Sequence, residues 1–188
     1  MDSEQNQLVR ASQGNAAAFR AIWGSHRDVV YKFAVWMTGD VANAEDITQA
    51  SFLTLLEQPT RFQPSRGSLR TFLLAITRNQ CRLQSRALWR EVGLEEADEM
   101  SFQLAELLDR LTAEESMAIV NAAIANLPPL QREAIFLFEY EELTLDEAAA
   151  VANIDTVTFK SRFHRARLRL KRELEGVFKK GLSNGTRP

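Results

Sequence analysis

Near its carboxyl end the chain carries a dense run of basic and polar side chains at helical spacing. They are Lys160, Ser161, Arg162, His164, Arg165, Arg167 and Arg169. Lysine and arginine neutralise phosphates, while arginine, serine and histidine also donate hydrogen bonds to base edges in a DNA groove. The chemistry indicated by this stretch is therefore non-covalent binding to nucleic acid.

Two helices separated by a tight turn are needed to position these side chains. Thr144 and Glu147 have the spacing of a capping box, which predicts a short first helix. The break falls at residues 152–155, and Asp155 or Thr156 then caps the second helix. Its buried stripe recurs at three- and four-residue steps and consists of Phe159, Phe163, Ala166, Leu170 and Leu174. This pattern is typical of a helix-turn-helix, whose second helix reads the major groove.

The charge of the 188-residue chain is segregated, although its net value is only −2. Residues 155–188 hold 10 basic and 3 acidic residues, a net +7, and residues 1–86 hold 10 and 7, a net +3. Residues 87–116 have a net −7, from 2 basic and 9 acidic residues, and residues 117–154 have −5, from 1 and 6. A basic carboxyl-terminal segment suits phosphates, whereas the acidic segments suit solvent or a basic partner.

The sequence does not favour a membrane protein or a protein held together by disulfide bonds. No apolar run approaches the ~18 residues of a membrane span, and the amino terminus is polar, so we expect a cytoplasmic protein without membrane insertion. The single cysteine, Cys81, cannot form an internal disulfide.

Three further helices are predicted before the acidic segment. Residues 15–38 have a helical apolar pattern that stops at Gly39, Asp40 caps a second helix ending before Pro59, and Ser68 caps a third. The third helix has an apolar stripe, Leu69, Phe72, Leu73, Ile76, Leu83 and Ala87, and a basic exterior, Arg70, Arg78, Arg82 and Arg86. No segment alternates long enough to be a strand.

The expected fold is all-α, with two small helical domains joined by an acidic linker. The predicted divisions are a first domain at 1–90, a linker at 91–116 with a short helix near Gln103 to Leu111, a helix-turn-helix domain at 117–180 and a flexible tail at 181–188. Pro128 and Pro129 separate the first two helices of the second domain.

Two segments in this order resemble a known family. AEDITQASFLTLL (44–56) with SLRTFLLAITRNQCRLQSR (68–86) is similar to region 2 of extracytoplasmic-function (ECF, group 4) RNA polymerase sigma factors of the sigma-70 family, and residues 127–174 resemble their region 4. The resemblance implies an alternative sigma factor that binds core RNA polymerase, through its beta and beta-prime subunits, and recognises −35 and −10 promoter elements. It also implies DNA melting and control by an anti-sigma factor.

The same resemblance implies roles for individual residues. Asp46, Gln49 and Phe52 match the face that docks on core polymerase. The residues matching the capture of the opened −10 strand are Arg61, Phe62, Ser68, Arg70, Arg78, Asn79 and Arg82. Lys160, Ser161, His164 and Arg165 match positions that meet the −35 element, with Arg162, Arg167 and Arg169 better placed for phosphates.

This chain departs from the family pattern in and after the turn. Asn153, Asp155 and Val157 replace the common Gly, Pro and Gly, and Phe159 replaces the usual Val. Asn153 remains able to adopt the left-handed conformation that such a turn requires. Phe72 stands where the family usually has Trp, and Leu83 where it has an acidic residue.

Alternative functions have less support in the sequence. A transcriptional regulator would use the same helix-turn-helix while its amino-terminal helices only dimerise. An enzyme has no supporting set of nucleophile, base or metal ligands, and we expect no cofactor. The acidic residues Glu139, Glu141, Glu142, Asp146 and Glu147 lack the Asp/Asn/Gly loop of a calcium site, so no metal is expected and they are interpreted as a solvated edge.

Overall fold

The computed structural model describes residues 4–84 and 113–184, and every regular element within those residues is helical. The helices are α1 (Glu4–Ser12), α2 (Ala16–Thr38), α3 (Val41–Glu57), α4 (Leu69–Gln84), α5 (Ala113–Ala125), α6 (Pro129–Ile135), α7 (Leu145–Ala152) and α8 (Thr156–Asn184). Two 3-10 turns, Pro59–Arg61 and Pro64–Arg66, lie between α3 and α4, and a π-helical turn, Phe136–Tyr140, follows α6. The predicted all-α class is confirmed.

Local capping chemistry sets the ends of α2 and α3. The Asn15 side chain accepts hydrogen bonds from the backbone N–H groups of Ala17 and Ala18 at 3.1 and 3.0 Å. Gly39 ends α2 in the left-handed region at φ 69°, where a side chain is strained. Asp40 then accepts a hydrogen bond from Asn43 N–H at 2.7 Å. The two helices pack together as a hairpin.

The start of α4 depends on a glycine and a serine. Ser68 Oγ accepts a hydrogen bond from Thr71 N–H at 3.2 Å, as the predicted cap requires. Gly67 has φ 147°, and a Cβ there would lie 2.9 Å from Thr71 Oγ1. Any larger residue at position 67 would therefore both strain the backbone and displace Thr71.

Helix α1 was not predicted from the sequence. It buries Leu8 and Ala11 in the cluster formed with α2, α3 and α4. Glu4 Oε2 also accepts a hydrogen bond from the backbone N–H of Leu69 at 3.2 Å, at the first residue of α4. With only two buried residues, α1 lacks the long apolar stripe by which helices are recognised in sequence.

Several predicted segments lie partly or wholly outside the residues that the structure describes. Most of the predicted linker, its short helix near Gln103 to Leu111, and Arg86 and Ala87 lie outside them. The last residues of that linker, from Ala113, belong to α5, and α8 continues to Asn184, within the predicted tail.

The amino-terminal helices (α1–α4) and the carboxyl-terminal helices (α5–α8) pack against each other. Helix α4 contacts α7, and α2 contacts α6. One apolar cluster is continuous across this boundary and includes Phe33, Met37, Leu74 and Cys81 from the first set and Phe136, Ala148, Ala149, Val151 and Ala152 from the second. None of the helices in the described residues combines the length and apolarity of a membrane span.

Candidate nucleic-acid interface

The turn between α7 and α8 is built by local hydrogen bonds. Thr144 and Glu147 form both halves of the predicted capping box, and Asn153 ends α7 in the left-handed region at φ 52° and ψ 49°. Asp155 accepts hydrogen bonds from the Thr158 backbone N–H at 2.8 Å and hydroxyl at 2.6 Å. These bonds lower the pKa of the Asp155 carboxyl. Asp155 is therefore the cap, and α8 begins at Thr156.

Helix α8 exposes most of the side chains predicted to meet the −35 element. Lys160, Ser161 and His164 are exposed, as are Arg167 and Arg169. Arg165 is half-buried and its Nε donates a hydrogen bond to the Ser161 carbonyl at 3.3 Å. The buried stripe Phe159, Ala166 and Leu174 anchors the opposite side, with Phe163 and Leu170 partly buried, as predicted.

Val157 departs from the family pattern and lies at the start of α8. Its side chain is 77% exposed on the first turn of α8. Steps of three, four and seven residues place it on the same face as Lys160, Ser161 and His164. The face thus presents one apolar and three polar side chains.

Arg162 does not lie on that face, which corrects its assignment to phosphates. Its side chain is buried, and Nη1 lies 3.2 Å from Glu133 Oε2. Glu133, on α6, is fully buried. Its other oxygen, Oε1, forms an ion pair with Nε of Arg78, a buried side chain on α4. Arg78, predicted to contact the −10 strand, is therefore also withdrawn from the surface.

The remaining predicted −10 residues divide into exposed and buried groups. Arg61, Ser68, Asn79 and Arg82 are exposed, and Arg61 Nη1 donates a hydrogen bond to Gln58 Oε1 at 2.7 Å. Phe62 is 2% exposed and packs against Phe72 with 5.7 Å between ring centroids. In this arrangement of the loop the Phe62 ring is covered and offers no face for stacking on a DNA base. Leu83, predicted in the apolar stripe, is instead exposed.

Arg70 is partly exposed and reaches the carboxyl-terminal helices. Its guanidinium pairs with the carboxylate of Glu141, and Nη2 lies 3.5 Å from the Glu141 carbonyl oxygen. Glu141 is buried, so its interpretation as part of a solvated acidic edge is wrong.

The predicted polymerase-docking face on α3 is only partly at the surface. Asp46 and Gln49 are exposed, whereas Phe52 is 2% exposed. The Phe52 ring packs among Trp23 and Phe19, with centroid distances of 4.6 and 6.4 Å. Phe52 therefore cannot present its ring to a partner, and it supports the helix that carries the other two.

Sequence reasoning missed the residues that join the two sets of helices. Glu133 and Glu141 were unassigned or assigned to solvent, and Arg132 was not singled out. Arg132 Nη1 donates a hydrogen bond to the Trp36 carbonyl at 2.7 Å. One signal existed for Glu133, which directly precedes the apolar run AIFLF. A carboxylate at the start of such a run needs a buried cation.

Burial dominates the electrostatics around Glu133. Desolvation raises the pKa of the Glu133 carboxyl, and the guanidinium groups of Arg78 and Arg162 oppose that rise. Desolvation, reinforced by the charge of Glu133, also raises the pKa of the Cys81 thiol to about 12. No three His, Cys, Asp or Glu side chains among the described residues are grouped as metal ligands would be.

The geometry defines an all-helical DNA-binding protein of the helix-turn-helix class. Comparison with known families is more specific: residues 22–91 match Sigma-70 region 2, and residues 117–170 match Sigma-70, region 4. The ECF RNA polymerase sigma factor SigC of Mycobacterium tuberculosis is 32% identical over 162 residues, which cover 85% of this chain and 84% of SigC.

Two further similarities agree with this match. SigE of Mycolicibacterium smegmatis is 29% identical over 154 residues, 78% of this chain, and the match spans 57% of the length of SigE. The sigma factor RpoE, solved in complex with the anti-sigma factor NepR from Bartonella quintana, shares the fold with a TM-score of 0.61. That likeness has 24% identity and covers 84% of this chain and 96% of RpoE. The chain belongs to the ECF RNA polymerase sigma factors of the sigma-70 family.

Proposed function

We propose that the chain acts in the cytoplasm as an alternative sigma factor that docks on core RNA polymerase and directs it to promoters. The observation that carries this proposal is the presence in one chain of two exposed faces of different chemistry. One is the polar face of α8, and the other is the face of α3 around Asp46 and Gln49. A regulator that only dimerises through its amino-terminal helices would not need the second exposed face, which lies in the segment that matches region 2.

At the upstream element, α8 enters the major groove from its amino-terminal end. Lys160, Ser161, His164 and Arg165 are the proposed base-reading positions, and Arg167 and Arg169 the proposed phosphate contacts. Val157 adds an apolar surface on the leading edge, where a thymine methyl group is the complementary partner in the groove.

At the downstream element, the proposed contacts to the opened strand are the exposed residues of the loop and α4. Asn79 supplies an amide for base edges, and Arg61, Ser68 and Arg82 supply donors to phosphates. Phe62 and Phe72 pack against each other beneath this surface and stabilise the loop.

For docking, Asp46 and Gln49 are the proposed direct contacts with the beta-prime subunit. They lie three residues apart on α3 and so share one face. Phe52 fixes the position of that face through its packing on Trp23. The complex of a relative with an anti-sigma factor supports an inhibitor of this kind for the present chain as well.

Transcription by core polymerase tests the proposal. The purified chain is added to core enzyme with a library of genomic promoter fragments, and start sites are mapped. Starts that depend on the chain and lie downstream of shared −35 and −10 sequences are expected. A shift assay with duplex DNA, with and without core enzyme, separates the alternative: tight operator binding by the chain alone, with no core-dependent starts, would identify a conventional regulator.

A further inference from the structure

The backbone amide of Leu69, at the start of α4, has its hydrogen-bond acceptor in another helix. Its N–H donates to Glu4 Oε2 at 3.2 Å, and Glu4 lies 65 residues earlier in the chain, on α1. The first N–H groups of an α-helix have no acceptor within that helix. In this turn the Ser68 side chain serves the N–H of Thr71. Glu4 therefore completes the cap of α4 from outside the helix.

The charge of Glu4 also suits this position. A carboxylate is stabilised at the amino terminus of a helix by the helix dipole. The first turn of α4 has no acidic residue of its own and includes the cationic Arg70, so the negative charge comes from α1. Glu4 Oε1 also lies 3.8 Å from Nε2 of His26, a partly buried side chain on α2. The carboxylate thus lies where α1, α2 and α4 meet.

Helix α1 also supports the loop that precedes α4. It packs against the 3-10 turn Pro59–Arg61, with which the loop begins. Leu8 of α1 belongs to the same buried cluster as Phe62 from the middle of the loop and Leu69. Helix α1 therefore supports the loop at its first turn by packing and at its end by the hydrogen bond of Glu4.

The junction between the loop and α4 has little room to adjust. A Cβ at Gly67 would lie 2.9 Å from Thr71 Oγ1, so the two backbone segments are already in close contact. Ser68 is fixed to the same threonine by its hydrogen bond to the Thr71 N–H. A displacement of the first turn of α4 would therefore move Ser68 and the end of the loop with it.

We propose that Glu4 is a positioning residue for the capture of the opened −10 strand. By holding the first turn of α4, it fixes the exposed side chains of Arg61 and Ser68, which are proposed contacts to that strand. The inference rests on the proposed function. A binding site on a loop depends on the groups behind it that hold its geometry. Without the Glu4 hydrogen bond the loop has more freedom before DNA binds, and ordering it on binding lowers the affinity.

Binding of the holoenzyme to fork-junction DNA tests this role. One DNA, made from a promoter that the wild-type chain uses, has a duplex −35 element and a single-stranded −10 element, and a second DNA ends before the −10 element. Glu4→Ala should weaken binding to the first DNA about fivefold, as expected for one lost hydrogen bond. Its binding to the second DNA and its affinity for core polymerase should match wild type. Gln5→Ala is the matched control, because Gln5 is the next residue of α1 and is exposed.

Two conservative variants separate the hydrogen bond from the charge. Glu4→Gln keeps a side-chain oxygen that can accept from the Leu69 N–H, whereas Glu4→Asp keeps the charge on a side chain one methylene shorter. We expect Glu4→Gln to bind the first DNA within about twofold of wild type and Glu4→Asp to resemble Glu4→Ala. The reverse order would overturn the proposal, because the charge of Glu4 and not its hydrogen bond would then govern binding.

A general loss of stability gives a different result. The Glu4 side chain is 51% exposed, so its variants are expected to fold, and urea denaturation of each variant checks this. If Glu4→Ala loses affinity for core polymerase and for both DNAs to the same degree, Glu4 only stabilises the fold and the proposal is overturned. Binding of Glu4→Ala to the first DNA with wild-type affinity also refutes the positioning role alone. A wild-type chain that forms no holoenzyme, or directs it to no promoter, refutes the proposed function instead.

Discussion

The ring of Phe52 packs against the indole of Trp23 at a centroid distance of 4.6 Å and an interplanar angle of 50°. This contact ties α3 to α2 in the centre of the amino-terminal helices. Phe52, which the family resemblance assigns to the docking face, is therefore an interior residue that stabilises the fold.

Phe52→Ala is expected to lower the free energy of unfolding by about 3–5 kcal/mol, because it leaves a cavity among Trp23, Phe19 and the residues around them. Urea denaturation followed by tryptophan fluorescence measures this change. Asp46→Ala is the control: it should change stability by less than about 0.5 kcal/mol and yet weaken holoenzyme assembly. A Phe52→Ala variant that is as stable as wild type but does not form the holoenzyme would contradict the interior role of Phe52 and support a direct contact with core polymerase.

Arg162→Ala and Arg169→Ala are expected to differ although the two arginines share one helix. Removing Arg162 leaves Glu133 with one fewer buried partner and should cost about 3–5 kcal/mol of stability. Removing exposed Arg169 should leave stability unchanged and reduce the salt dependence of DNA binding by about one unit of slope. Thermal denaturation and salt titrations of DNA affinity test the pair, and the opposite ranking would contradict the burial of Arg162.

Arg165→Ala should weaken binding of the holoenzyme to a promoter by about 1–3 kcal/mol if its guanidinium reads a base. The loss should then depend on the −35 sequence, which is tested with matched and mutated elements. Arg20→Ala, an exposed position on α2, serves as the control for a general loss of positive charge. A loss that is equal on both elements assigns Arg165 to phosphate.

Val157→Ala should reduce affinity for promoters that carry thymine at one −35 position and have little effect where that thymine is replaced by uracil, which lacks the methyl group. The comparison of thymine with uracil at each position in turn locates the contact. Equal losses for the two bases at every position would remove Val157 from the interface.

Protonation of His26 should lower the stability of the folded chain as the pH falls below neutrality. Burial lowers the pKa of His26, the charge of Glu4 opposes this and that of Arg70 adds to it. A histidine whose pKa is lower in the folded chain takes up protons more readily when unfolded. Its contribution is therefore complete above its ordinary pKa of 6.5 and is lost as pH falls below that value. Urea midpoints measured from about pH 7.5 to about pH 5.5 should show a smaller slope in His26→Gln than in wild type, and equal slopes would contradict this assignment.

The sequence predicted those features that depend on neighbouring residues. Asp40, Ser68 and Thr144 cap their helices because each side chain bonds to a backbone group three residues away. The left-handed conformation of Asn153 follows from the same local chemistry. Such interactions are complete within one turn of chain and so can be recognised from spacing alone.

The burial that the sequence did not predict depends on partners distant in the chain. Helical periodicity places Arg78 on the exterior of its helix and Arg162 on the flank of another. Their burial depends on Glu133, which lies 55 residues from Arg78 and 29 from Arg162. Phe62 likewise is buried because Phe72 lies against it. An arginine has the same local sequence pattern whether it lies at the surface or pairs with a buried carboxylate.

One carboxylate serving two arginines has a consequence for the stability of the chain. Arg78 on α4 and Arg162 on α8 both act through the carboxylate of Glu133. The effects of replacing the two arginines on the free energy of unfolding should therefore not add, because residues that share one partner are energetically coupled.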